Sequence, residues 1–226
     1  MTDIAATPPT QSSSQSSSRS PYDPTPYLVP ERCAVLVFEC QQMVIGENGP
    51  YRGLIESARS GMLDRLAGLL EAARANGARV VYCTVSGRPG GLGASKTPMQ
   101  EISRARGYAG PEPDRSIVPE LEPVDGDVIV DRTHGMSAFH GTELETCLRA
   151  MGIETVLPTG VSANLGVIGT AIEALNHGYR LVVASDCIAA DPPEYGEQMM
   201  RYSYRNIAYM STAADIAAAW ASHRSN

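Results

Sequence analysis

Glu39 follows directly on the apolar run Ala34 to Phe38, and a carboxylate at the end of a buried run costs free energy unless it is paired or used. It has two readings: a structural carboxylate bound to backbone amides or an arginine, or a general acid or base. Four further apolar runs end in polar groups: Cys83-Thr84, Asp131-Arg132-Thr133-His134, Thr159-Gly160-Val161-Ser162 and Ser185-Asp186-Cys187. Together these ends hold the carboxylates, cation, imidazole, hydroxyls and thiols from which acid/base or nucleophilic chemistry is built. His134 can serve as acid, base or hydrogen-bond donor, although a lone loop histidine is more ordinarily a surface or structural residue. His140, His177 and His223 lack such a neighbourhood. The cysteines read as small buried hydrophobes, because no basic partner that would activate a thiol is evident near any of them.

These groups can act together only if the fold gathers the run ends. From Arg32 onward, short β-type runs alternate with helical patterns, the signature of parallel strands joined by crossover helices. Ala34 to Phe38, Arg79 to Thr84, Asp127 to Val130, Thr155 to Pro158 and Tyr179 to Ala184 read as strands, with a short sixth over Ile207 to Met210. Leu63, Leu66, Leu69, Leu70 and Ala73 recur at helical spacing, and Asn76-Gly77 closes that helix with a left-handed cap. Further helices are expected over Thr142 to Met151, about Asn164 to Asn176, after Pro192-Pro193, and from Thr212 through Trp220. The expected fold class is α/β: a three-layer α/β/α sandwich on a mostly parallel, doubly wound (Rossmann-like) sheet of about six strands. Ligands in such sheets sit beyond the carboxyl ends of the strands, where the polar segments fall. Gly87 to Gly93 lacks the Gly-Lys-Ser/Thr ending of a phosphate loop. It reads as a mobile loop from which Arg88 could hold a substrate carboxylate.

A chain of 226 residues, 43% hydrophobic and 19% charged, suffices for one domain with a sizeable core. Residues 1–30 stand apart: a Ser/Gln run and then Pro21, Pro24, Pro26 and Pro30 describe a disordered or loosely docked tail. Tyr22, Tyr27 and Leu28 could pack on the body or on another subunit. Residues 31–226 make the domain. The net charge of -7 argues against a nucleic-acid partner, which calls for clustered Lys and Arg. The apolar runs fall far short of the roughly 20 residues a membrane span needs. The start lacks the pattern of a secretory signal, and the five cysteines are too irregularly spaced for a disulfide framework. A reduced, cytoplasmic protein is expected, with a small-molecule substrate as its partner and neither cofactor nor metal.

Three segments carry a resemblance, and it extends from about Arg32 to Trp220. Val35-Leu36-Val37-Phe38-Glu39-Cys40-Gln41 resembles the opening strand of isochorismatase-like hydrolases, where an acid followed two places later by Gln ends the strand. His134-Gly135-Met136-Ser137-Ala138-Phe139 with Gly141-Thr142-Glu143-Leu144 is similar to the family's Ser-Ala-Phe segment and the helix start after it. Thr159 to Val167 resembles its nucleophile loop. Superfamily amidases use an Asp, a Lys and a Cys. Here the acid is Glu39, the lysine position falls at Thr133 with Arg132 beside it, and the cysteine position is Gly166. The resemblance therefore implies a cofactor-free hydrolase acting on a small polar or anionic substrate without a cysteine nucleophile. Its expected catalytic residues are Glu39, Arg132, His134 and Gly166, with Gln41, Phe139, Ser162, Asn164 and Arg88 as substrate contacts. The metal loop of the nicotinamidase branch has no counterpart, since Gln42 to Gly53 contains no histidine. The resemblance also implies a homodimer or homotetramer. Two readings stay open beside it: a non-catalytic ligand-binding or regulatory protein, and a lyase or isomerase using Glu39 as proton carrier.

Overall fold

The fold was obtained as a computed structural model, which describes residues 20–88, 91–105 and 113–223. Seven strands form one sheet: β1 (Cys33–Phe38), β2 (Arg79–Val85), β3 (Val128–Arg132), β4 (Thr155–Val161), β5 (Arg180–Ala184), β6 (Ile188–Ala189) and β7 (Tyr209–Ser211). The order is β3-β2-β1-β4-β5-β7, with β6 continuing alongside β4, and every pairing is parallel. The helices are α1 (Gln42–Ile45), α2 (Arg52–Ser57), α3 (Leu63–Asn76), α4 (Pro98–Ala105), α5 (Leu144–Ala150), α6 (Ile168–Asn176), α7 (Pro193–Tyr202) and α8 (Ala213–His223).

Three layers follow from the strands' alternation. On β1, Cys33, Val35 and Val37 join the Leu63, Leu66, Leu69 and Leu70 stripe of α3 and the Ile216 and Trp220 side of α8. Ala34, Leu36 and Phe38 face the opposite way, onto Leu144 and Leu148 of α5, Ala171 and Ala174 of α6 and Met199 of α7. All six residues of β1 are buried, as a strand covered on both faces must be. Helix α3 ends as its sequence predicts, with Gly77 left-handed (φ 88°) and its N–H turned to the Ala73 and Arg74 carbonyls. Among the described residues no helix is long and apolar enough to cross a membrane.

Three local expectations are corrected. The helix read from Asn164 begins as a wider π-type turn over Ala163–Val167. The Ser162 carbonyl accepts N–H bonds from both Leu165 (3.3 Å) and Val167 (3.2 Å). The last strand starts at Tyr209 rather than Ile207, because the N–H groups of Ile207 and Ala208 both bond to Tyr204 O. The two-residue β6 was too short to show as an apolar run. The tail reading falls partly outside the described residues, which begin at Ser20. From there two short 3-10 turns lead into β1, and Leu28 is buried at 1% exposure.

Candidate active site

Glu39, Arg132, His134 and the segment Ser162–Gly166 converge at the carboxyl ends of β1, β3 and β4, on the wall of a cavity of about 1240 Å³. Strand order places them there: β2 and β3 lie to one side of β1 and β4 to the other. Glu39 thus stands at the switch point where such sheets open a crevice.

The backbone of Glu39 is left-handed, with φ 49°, a conformation that costs an L-residue roughly 1–2 kcal/mol. Two bonds hold it: the Glu39 N–H donates to Cys83 O at 3.0 Å, and the Gln41 N–H donates to Glu39 O at 2.8 Å. The strained turn redirects the carboxylate from the sheet toward Arg132, whose Nη2 donates to Glu39 Oε1 in a salt bridge. The arginine is buried at 4% exposure while the glutamate keeps 20%. Arg132 is further engaged by Gly135 O (3.3 Å to Nε) and Thr84 O (3.5 Å to Nη1), and its guanidinium carbon lies 4.6 Å from the centroid of the Phe38 ring. Its donors are thus turned to the protein. Glu39 Oε2 accepts no hydrogen bond among the described residues.

Gly166 lies where β4 gives way to α6. A Cβ built on it would overlap Cε1 of Phe38 and stand 2.6 Å from Cζ, so only glycine fits against that ring. Gly160, the partner of Phe38 within β4, is under a similar constraint, with φ +94° and a Cβ position that overlaps the Phe38 carbonyl oxygen. The backbones of β1 and β4 therefore approach closely beneath the site. Ser162 and Asn164 line the cavity and are half-buried. The first turn of a helix leaves N–H groups without intrahelical acceptors, and here that turn faces the cavity. His134 is half-buried on the same wall, its ring edge-on to His140 at 5.2 Å between centroids.

Three expected substrate contacts lie elsewhere. Gln41 is buried at 1% exposure. Its Nε2 donates to Val85 O (3.2 Å) and Arg115 O (2.8 Å), and its Oε1 accepts from the Val85 N–H (2.8 Å). The amide is spent on tying three segments together. Phe139 is 5% exposed in the core, its ring 5.1 Å from that of His177 and 6.2 Å from that of Tyr179. Arg88 is exposed and off the cavity wall. In its stead the wall carries Arg115 and Asp191, which the sequence did not single out because both sit in loops without a periodic pattern.

No cysteine reaches the cavity wall. Burial pushes the thiol of Cys83 up to about 12, with the Arg132 charge opposing and the Glu39 charge assisting. Cys40 and Cys187 are likewise raised, chiefly by burial. Among the described residues no group of three or more His, Cys, Asp or Glu is disposed to hold a metal ion.

Known proteins share the sequence and the fold in outline. An uncharacterised isochorismatase family protein, YwoC, of Bacillus subtilis is 32% identical over 126 residues, 55% of this chain and 66% of that protein. In other curated relatives the matched stretch is 50% and 63% of their length, so the likeness spans less than two thirds of them. Ureidoacrylate amidohydrolase RutB of Methylorubrum extorquens is 28% identical over 89% of this chain and 88% of its own. Among solved structures, an isochorismatase family protein from Desulfovibrio vulgaris superposes with a TM-score of 0.72 at 27% identity, covering 84% of this chain and 98% of that one. The isochorismatase domain profile matches residues 33–215, from the first residue of β1 into α8, and the chain belongs to that family.

Proposed function

We propose that the protein is a cofactor-free hydrolase of small carboxylated amides, ureides or enol ethers that works by acid/base chemistry without a cysteine nucleophile. The observation that carries this reading is the Glu39–Arg132 pair on the wall of a cavity that Gly166, which offers no side chain, also lines. On an amide or ureide, Glu39 Oε2 takes a proton from water as the water oxygen bonds to the carbonyl carbon; on an enol ether, Glu39 in its acid form instead gives a proton to the vinyl carbon, and water then adds to the oxygen-bearing carbon. The negative charge that develops on the substrate oxygen is met by the backbone N–H groups of Asn164 and Gly166, the Leu165 N–H being already given to Ser162 O. His134 gives a proton to the departing nitrogen or oxygen, and Arg132 holds the carboxylate in place as a fixed charge rather than a proton donor. Arg115, on the same wall, supplies a positive charge for a substrate carboxylate.

Relatives named for maleamate and ureidoacrylate suggest the first compounds to try. Wild type and Glu39→Gln are screened by thermal shift and turnover against these two, other carboxylated amides and ureides, and carboxylated enol ethers. The reading predicts a compound that wild type consumes and Glu39→Gln only binds. A second reading is favoured by the ion pair itself, since a carboxylate held by arginine has less freedom to move protons. It makes the cavity a ligand-binding site, and it prevails if compounds stabilise both proteins equally and none is consumed.

A further inference from the structure

Phe38 is fully buried at 1% exposure, within the cluster that β1 shares with α5 and α6, and an ordinary core phenylalanine would look the same by burial alone. Two contacts set it apart. Its ring edge, Cε1 and Cζ, occupies the place where a side chain at position 166 would begin. Its ring also lies beneath the Arg132 guanidinium, 4.6 Å from centroid to Cζ. The residue following it is Glu39, whose carboxylate that guanidinium holds. One ring thus touches two of the elements converging on the cavity and is covalently joined to the third.

We infer that Phe38 is the positioning residue of this site. Its ring face steadies Arg132 toward Glu39 through an attraction that strengthens away from water. Its ring edge closes the space over α6 and thereby dictates glycine at 166. Reacting atoms of a substrate are then confined to the Glu39 side of the cavity, and no side chain can meet them from position 166. The role assigned to Glu39 rests on the function proposed above; the coupling of positions 38, 132 and 166 does not.

The coupling is tested by melting temperatures of wild type, Gly166→Cys, Phe38→Ala and the double variant. Cysteine is the chosen insert because its alkylation by iodoacetamide, read by mass spectrometry, also reports whether position 166 has opened to the cavity. In wild type the insertion overpacks the ring and lowers Tm by about 2–10 °C. In the Phe38→Ala background the same insertion costs nothing or raises Tm, and the introduced thiol becomes alkylated. Equal Tm losses in both backgrounds overturn the inference, because independent sites add. Should Phe38→Ala fail to fold, Phe38→Val supplies that corner of the cycle with a smaller hole.

The arginine contact has its own signature. The Arg132 Nε–Hε resonance, identified by its loss in Arg132→Lys, is displaced by the ring current and moves toward the ordinary arginine position in Phe38→Leu, which keeps the bulk and removes the π face. An unmoved resonance overturns the positioning role. With maleamate or ureidoacrylate as probe, Phe38→Leu lowers kcat by about 100-fold with KM little changed, a penalty expected of misplaced groups. If no compound of the screen is consumed by wild type or any variant while the melting cycle and the resonance behave as stated, the hydrolase reading fails and the positioning role stands.

Discussion

Strand β3 carries a charge of opposite sign at each end, and the two ends are used in different ways. Asp127, just before the strand, meets Arg74 of α3 through Nη2 (2.7 Å) and Nε (3.4 Å), and its Oδ2 also accepts the Val124 N–H (2.9 Å). Arg74 in turn donates to the Tyr82 hydroxyl at 3.1 Å, and that hydroxyl donates to Leu121 O at 2.6 Å. Both carboxylate oxygens are occupied, and the aspartate is 4% exposed. At the other end Arg132 is the buried member, Glu39 keeps an exposed fifth of its side chain, and one carboxylate oxygen has no hydrogen bond among the described residues, on a residue with a left-handed backbone. A fully satisfied pair fixes structure; a half-satisfied one at a cavity keeps capacity for a proton and a substrate. Both ends contain an Arg–carboxylate pair, so the kind of pair does not mark the site. The spare valence and the cavity do.

The contrast breaks most sharply at Glu39. Glu39→Gln, nearly the same shape, is expected to lower turnover by about 10²–10⁴-fold and also to lower stability, because the buried Arg132 loses its charged partner. Asp127→Asn should lower stability alone: turnover unchanged, and stability down by about 2 kcal/mol because Arg74 loses its charged partner, a fall of roughly 4–8 °C in a melt. If Asp127→Asn abolishes turnover, the two ends are not separable and the comparison fails. Gln41→Ala tests the border between them. It strands the Val85 N–H and frees the Arg115 segment, so a loss of about 1–3 kcal/mol should accompany a raised KM with kcat nearly kept. A kcat loss without a KM change would make Gln41 a participant in the chemistry.

The smallest effect is alkaline. Burial pushes the Tyr82 hydroxyl up to about 12, against the lowering pull of Arg74. A raised value in the folded state means that the neutral hydroxyl is preferred there. Its contribution to stability is complete below its ordinary value near 10 and is lost as the pH climbs toward about 12. Melts from about pH 8 to pH 11 should show a shallower decline in Tyr82→Phe than in wild type. Identical slopes would remove this hydroxyl from the structural end's account.

How much of this was legible in the chain depends on distance along it. The strands announced themselves because an apolar run bounded by Gly, Asp or Asn has few other uses, and Glu39 was conspicuous as a carboxylate on such a run. Arg132 and His134 could be placed because they close the next run but one. Phe38 and Gly166 meet only in space, and nothing local in either segment states that one excludes a side chain on the other. Gln41, which the resemblance made a substrate contact, spends its amide instead on the Val85 backbone at the end of β2 and on the Arg115 carbonyl, partners far from it in the chain. Arg115 and Asp191 reach the cavity from irregular segments, where periodicity carries no information. Arg88 has the right charge in a nearby loop, but its exposed side chain stays off the cavity wall.

The overlap between the Phe38 ring and any side chain at 166 also orders the mutational paths open to this protein. A lone substitution that adds a side chain at 166 collides with the ring, and a lone truncation at 38 leaves an unfilled hole next to the arginine. Each first step lowers stability before the second can repair it, so a reactive side chain at position 166 is two coordinated changes away. A path to a side chain at 166 therefore crosses a less stable intermediate from either direction.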